Sequence, residues 1–243
     1  MTGHTTHNAS SERGPAVWSW RRELPLLAIV AAMFIASAVA WPFADDEIPT
    51  HWNAAGEVDG YGGKVEGLLL LPGIAIAVWL LLAFLPRWDP GRRNYASFGT
   101  AYLLTRVGVL LFLALVHAGV IAVAVGSGID IYFLFPLGIG ALFFALGNVM
   151  PKFRPNYFAG IRTPWTLASA KSWTATHRLG GRLFMLGGVL FAAMAFVRAE
   201  WFVIALVGVL FVGVAFLFIY SYRVWRDDPD RVPVGMVTPN AEE

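Results

Sequence analysis

The 243-residue sequence contains no cysteine. No disulfide braces its loops, and no thiolate is present to act as nucleophile or metal ligand. Charge is scarce too: Asp, Glu, Lys and Arg make up 14% of the chain, against about 25% in soluble domains. Apart from Asp130 at the edge of the fourth, six long apolar runs, at 24–43, 68–85, 107–125, 129–146, 183–197 and 201–220, hold no acidic residue. That excludes an intramembrane acid–base pair built within those runs.

What the chain has instead is apolar surface, with 57% hydrophobic residues. Most of the runs suffice to cross a hydrocarbon core of roughly 30 Å at about 1.5 Å per residue. The fifth is short unless residues 179–182 extend it, with Arg182 snorkelling to the headgroups. The expected fold is an all-α integral membrane protein, a bundle of six transmembrane helices in the cell membrane. Arg21-Arg22 and Ala38-Val39-Ala40 imitate a signal peptide, but the first run exceeds the usual apolar core, so it reads as a retained anchor. Fifteen of the 18 Lys and Arg residues fall on one side of such a bundle; only Lys64 and Arg198 fall on the other, with Arg106 at the edge of the third run. The positive-inside rule then puts both termini in the cytoplasm.

Five segments follow. Residues 1–23 are a polar N-terminal tail; 24–85 form a two-helix unit with an extracytoplasmic loop at 44–67. Residues 86–106 are a cytoplasmic linker, 107–220 a four-helix unit with a cytoplasmic loop at 148–182, and 221–243 a polar C-terminal tail. In the linker, Tyr95, Phe98 and Tyr102 recur at helical spacing, which predicts a short amphipathic helix at the membrane interface. Short turns at 126–128 and 198–200 predict antiparallel hairpins of the third with the fourth run and the fifth with the sixth. In the loop 148–182, Thr163-Pro164 reads as an N-cap and first helical position. A helix from Pro164 to about His177 would align Trp165, Trp173 and His177 in a stripe suited to lipid headgroups.

Few residues are candidates for chemistry. His51 lies near Glu47, Glu57 and Asp59, a set that would suit a divalent cation or a pH-sensitive contact; no ligand template matches the spacing, which favours a polar turn. Arg106 and His117 share one face of the third helix. A proton relay through His117 needs an acid at its depth, whereas a neutral histidine bonded across helices, with Arg106 reaching the cytoplasmic surface, needs none. Gly138, Gly140, Gly147, Gly187, Gly188, Gly208 and Gly213 suit close helix packing or a cavity wall. Arg162 and Trp173 are residue types that anchor partner contacts. No catalytic constellation, cofactor or metal is expected, and the reading is non-enzymatic.

Two stretches carry a family resemblance. IPTHWNAAGEVDGYGGK resembles the signature loop of a small domain of unknown function found at the N-terminus of prokaryotic membrane proteins. GNVMPKFRPNYFAGIRTPWTLASAKSWTATHRLGGRLF is similar to the hallmark of the SdpI family, multi-span proteins named for immunity to a secreted killing peptide. The resemblance extends over about residues 25–220. It implies protection of the membrane from a toxin peptide outside, and signalling by holding a small winged-helix repressor inside, without direct nucleic-acid contact. The outer residues it implicates are Pro49, His51, Trp52, Asn53, Gly56, Asp59 and Gly60. The inner ones are Asn148, Pro151, Lys152, Pro155, Asn156, Gly160, Arg162, Thr163, Pro164, Trp165, Trp173, His177, Arg178 and Gly180.

The acidic outer loop, with Asp45, Asp46, Glu47, Glu57, Asp59 and Glu66 against Lys64, suits attraction of a cationic peptide. Two other classes fit parts of the pattern: a transporter or flippase for small amphipathic compounds or lipids, and a metal-dependent membrane hydrolase.

Overall fold

The computed structural model describes residues 19–53, 55–197 and 200–235. Most of the polar N-terminal tail, the end of the C-terminal tail and Arg198 lie outside the described residues. The described elements run α1 (Trp20–Ala40), β1 (Ile48–Trp52), β2 (Val58–Gly62), α2 (Lys64–Trp88), α3 (Tyr95–Ala124), α4 (Ile131–Val149), α5 (Pro164–Leu167), α6 (Ala170–Met194) and α7 (Glu200–Arg226). Single 3-10 turns, Arg92–Asn94 and Met150–Lys152, precede α3 and follow α4.

Five of these helices, α1, α2, α3, α4 and α7, are long and apolar enough to cross a membrane. Large apolar side chains point outward along them; on α7, Ile204, Phe211 and Val212 are each at least 70% exposed. Such surface is stable in hydrocarbon and costly in water. The chain is a multi-pass, all-α protein of the cell membrane. The fifth run belongs to α6, whose N-terminal half carries Lys171, Arg178 and Arg182 and whose apolar half packs along α4.

Glycine fixes that packing. A Cβ at Gly140 would lie 2.6 Å from the Gly188 carbonyl oxygen, and one at Gly147 would lie 2.5 Å from that of Gly181. Pairing 140 with 188 and 147 with 181 is antiparallel, and the absent side chains let the two backbones touch, the small-residue device of membrane helices. Among the described residues Gly208 and Gly213 meet nothing within 4 Å, so they play no such role on α7. At the other end of the bundle, α1, α2 and α3 close around Leu26, Val30, Met33, Ala75 and Leu110.

Three expectations need correction. Residues 86–106 form no separate interfacial helix: α2 runs on to Trp88 and α3 starts at Tyr95. Tyr95, Phe98 and Tyr102 pack inward on Val149, Phe153 and Trp173, because the following loop offers their apolar face a protein partner. The loop 44–67 holds a β-hairpin, too short for its alternation to stand out in sequence. The polar tail begins later than residue 221, since α7 continues to Arg226 and Val232 N–H donates to the Ala168 carbonyl (3.0 Å).

Candidate functional site

The β1–β2 hairpin is built by its turn. Asn53 Oδ1 accepts from the amides of Ala55 (2.9 Å) and Glu57 (3.0 Å), and Gly56 takes a positive φ of 83°. Only glycine suits that conformation, and a Cβ there would also strike the Tyr132 ring at the start of α4. His51 pairs with Gly60 across the strands, and its Nδ1 lies 2.5 Å from Asp59 Oδ1. Both side chains are well exposed, so the contact is solvent-screened. Ile48, fully buried, presses against Gly67 and fastens the hairpin to α2.

Beneath the hairpin lies a cleft of about 410 Å³. Trp52, Leu70, Val120, Phe135, Pro136 and Met194 give it apolar walls, while His51, Asn53 and Glu66 stand at its mouth. Of the outer residues singled out in sequence, His51, Trp52, Asn53 and Gly56 line it; Pro49, Asp59 and Gly60 do not. The chemistry of such a cleft is amphipathic binding: it accepts apolar chain and offers one carboxylate to a cation. Among the described residues no three metal-ligating side chains converge.

Within the bundle, Arg106 does not reach for the surface. Its guanidinium donates to both carboxylate oxygens of Glu23 (2.7 and 2.6 Å), and Trp79 Nε1 donates to the same group (2.9 Å). Glu23 precedes the first apolar run by one residue, and α1 carries it inward as part of its first turn. Sequence reading missed it for that reason. His117 Nε2 lies 3.0 Å from Ser37 Oγ and 3.1 Å from the Leu68 carbonyl oxygen. Because a carbonyl only accepts, an Nε2–H imidazole satisfies this site in the neutral state. Glu23 lies fourteen residues from Ser37 along α1, about 21 Å, and is committed to Arg106.

At the other end of the bundle the signature loop is a braced structure. Asn156 is buried; its Oδ1 accepts from the Phe158 and Ala159 amides and its Nδ2 donates to the Arg154 and Ala159 carbonyls. Asp89, buried and not anticipated from sequence, accepts from Tyr95 Oη (2.9 Å) and from the Gly91 and Tyr157 amides. Asn94 Nδ2 donates to the Pro155 carbonyl (2.7 Å). These bonds tie the loop to the α2–α3 turn.

The expected helix from Pro164 to His177 is broken. Thr163 caps α5 in a reciprocal box with Thr166, but α5 ends at Leu167; Ser169 then caps α6 through the Ser172 amide (2.9 Å). This second cap shifts the helical phase, so Trp165 packs on Phe218 and Tyr222 while Trp173 and His177 turn into the core. There is no aromatic stripe toward the headgroups, and Trp173, 1% exposed, is unavailable to a partner. Its indole donates to the Phe153 carbonyl (2.9 Å) and stacks on His177 with ring centroids 4.1 Å apart.

His177 locks the loop to α6. Its Nε2 accepts from the Ile161 amide (3.0 Å) and its Nδ1–H donates to the Trp173 carbonyl (2.8 Å), which requires the neutral ring. Burial pushes its pKa down to about 4, opposed only in part by the bond to the Trp173 carbonyl. Gly160, at φ 101°, and Gly180 leave the space that brings Ile161 this close. Pro151 rests on Gly181. The signature thus divides in two. Asn156, Thr163, Trp173, His177 and Gly180 are buried bracing; Asn148, Lys152, Arg154, Arg162, Pro164 and Arg178 are exposed.

Comparison with known proteins agrees with these two regions. Residues 152–221 match the SdpI/YfhL protein family, and residues 28–76 match a domain of unknown function, DUF1648. The chain is 19% identical over 206 residues to "Immunity protein SdpI" of Bacillus subtilis (strain 168), covering 85% of this chain and 97% of that protein. No solved structure matches. The chain is therefore a multi-pass membrane protein with an SdpI/YfhL-like region at 152–221 and a DUF1648-like region at 28–76.

Proposed function

We propose that the protein gives its membrane immunity to a secreted, membrane-active peptide, bound from outside in the cleft under the β1–β2 hairpin. The observation that carries this reading is the alignment with an immunity protein over nearly the whole of both chains. The cleft supports it: apolar walls suit the oily face of an amphipathic peptide, and Glu66 at the mouth suits its positive charge. The test is survival. A sensitive strain expressing the full chain is challenged with a panel of secreted cationic peptides, and protection is expected against at least one. Killing unchanged across the panel overturns the reading.

A finer role rests on the cytoplasmic loop. The buried bracing holds Arg154, Phe158 and Arg162 outward on one short segment, Phe158 being 40% exposed. Arginine and an exposed aromatic on a rigid frame suit a protein partner, and a cytoplasmic repressor held there would couple peptide binding to gene expression. Phe158→Ala with Arg162→Ala should abolish co-sedimentation of the repressor with membranes while insertion is normal. Unchanged co-sedimentation removes this loop from signalling. Trp165 is a poor probe, because its ring supports α7.

A further inference from the structure

A second cleft, about 470 Å³, opens at the cytoplasmic end of the bundle. Its charged lining is Arg22 from α1, Lys152 and Arg154 around the 3-10 turn after α4, and Arg178 from α6. Among the described residues no acidic one lines it. None of the four makes an ion pair among the described residues; Glu23, beside Arg22 in sequence, is occupied by Arg106. Four like charges from three separate elements repel one another unless an anion sits among them.

The polar part of the wall points the same way. Ser97 and Thr174 supply hydroxyl groups. Phe98 leaves the helical region (φ −125°, ψ 19°), and α3 restarts at Gly99, so the first turn of the restarted helix forms the cleft wall. A helix start carries partial positive charge and suits phosphate oxygens. Gly99 makes room for a cation there: a Cβ would lie 3.3 Å from Arg22 Nη1.

We infer that this cleft binds the phosphate headgroup of an anionic phospholipid from the cytoplasmic leaflet. The position decides for a lipid over a free anion. The cleft sits where the apolar helices begin: at the level of Arg22, the far face of α1 carries Trp20 and Leu24, 62% and 60% exposed. Tryptophan at that level marks the membrane interface, which puts the cleft at the depth of the lipid headgroups. This site is distinct from the outer cleft and does not depend on the immunity reading.

Lipid retention by the purified full chain tests it, read by native mass spectrometry after exchange into mixed phosphatidylglycerol and phosphatidylcholine. Wild type should retain phosphatidylglycerol selectively. Arg22→Gln with Arg178→Gln should lower that selectivity about tenfold or more, since each cation near an anionic surface counts strongly. Arg92→Gln with Arg93→Gln, which removes equal charge outside the cleft, should leave it unchanged; Arg22→Lys with Arg178→Lys should retain it and shows that the variants fold. Equal loss in the two glutamine pairs overturns the site in favour of diffuse attraction. Absence of selectivity in wild type also overturns it. Displacement of the lipid by inorganic phosphate alone assigns the cleft to a free anion and overturns the lipid. An acidic protein lost with Arg22→Gln and Arg178→Gln while lipid retention stays constant does the same.

Discussion

Glu23 and Arg106, 83 residues apart in the chain, form a buried two-pronged ion pair that pins α1 to α3. Trp79 of α2 donates to the same carboxylate, so three helices meet at one charge pair. Among the described residues Arg106 Nε has no hydrogen-bond partner, so desolvation of the pair is not fully offset. Its main effect is to fix which faces of α1, α2 and α3 oppose one another.

Removing one member leaves the other charged and buried. Arg106→Met should cost about 3–5 kcal/mol, whereas Glu23→Leu with Arg106→Met should recover most of that loss. Thermal unfolding in detergent decides. A double variant as unstable as the single one would show that the pair itself supplies the stability.

The glycine pairs on α4 and α6 should be intolerant. Gly147→Leu or Gly188→Leu places side-chain atoms on a partner carbonyl and should destabilise by at least about 1–3 kcal/mol. Gly208→Ala and Gly213→Ala, in open positions on α7, should be neutral or stabilising by up to about 1 kcal/mol. Denaturation of the four variants in one detergent checks the contrast, and equal effects on both helices would refute it.

The loop lock should fail in acid. The His177 pKa is about 4 in the folded loop and near 6.5 when free, so the folded loop favours the neutral ring. The unfolded loop binds a proton first, so stability is complete above about pH 6.5 and falls as pH drops toward 4, by about 3 kcal/mol in all. Amide exchange at Ile161, corrected for its intrinsic pH dependence, should accelerate across that window. His177→Gln should abolish the pH dependence. Exchange that is flat in wild type counts against the lock.

Sidedness can be read cleanly, because the chain has no cysteine of its own. Tyr61→Cys on the hairpin should react with an impermeant thiol reagent on intact cells, and Phe158→Cys only after permeabilisation. Labelling of both without permeabilisation would contradict the orientation inferred from Lys and Arg.

His117 separates immunity from transport. His117→Ala removes a buried polar contact and should cost about 1–3 kcal/mol, yet leave protection against peptide intact where the protein still inserts. Substrate flux in proteoliposomes that is lost with this variant would favour a transporter.

The sequence by itself determined what depends on neighbours a few residues apart. Run length and the scarcity of charge specified helices in a membrane; Thr163-Pro164 specified a cap, and Asn53 with Gly56 a turn. Tertiary structure decided what depends on distant partners. The acid for Arg106 came from a position just outside an apolar run, where its sequence context looks like interface. The aromatic residues of α3 and α6 fit headgroups by spacing alone, yet they face the loop, because the break before Ser169 rotates α6 and burial in protein satisfies the Trp173 indole with a carbonyl. A periodic pattern names an apolar face without naming what covers it; only packing supplies the cover.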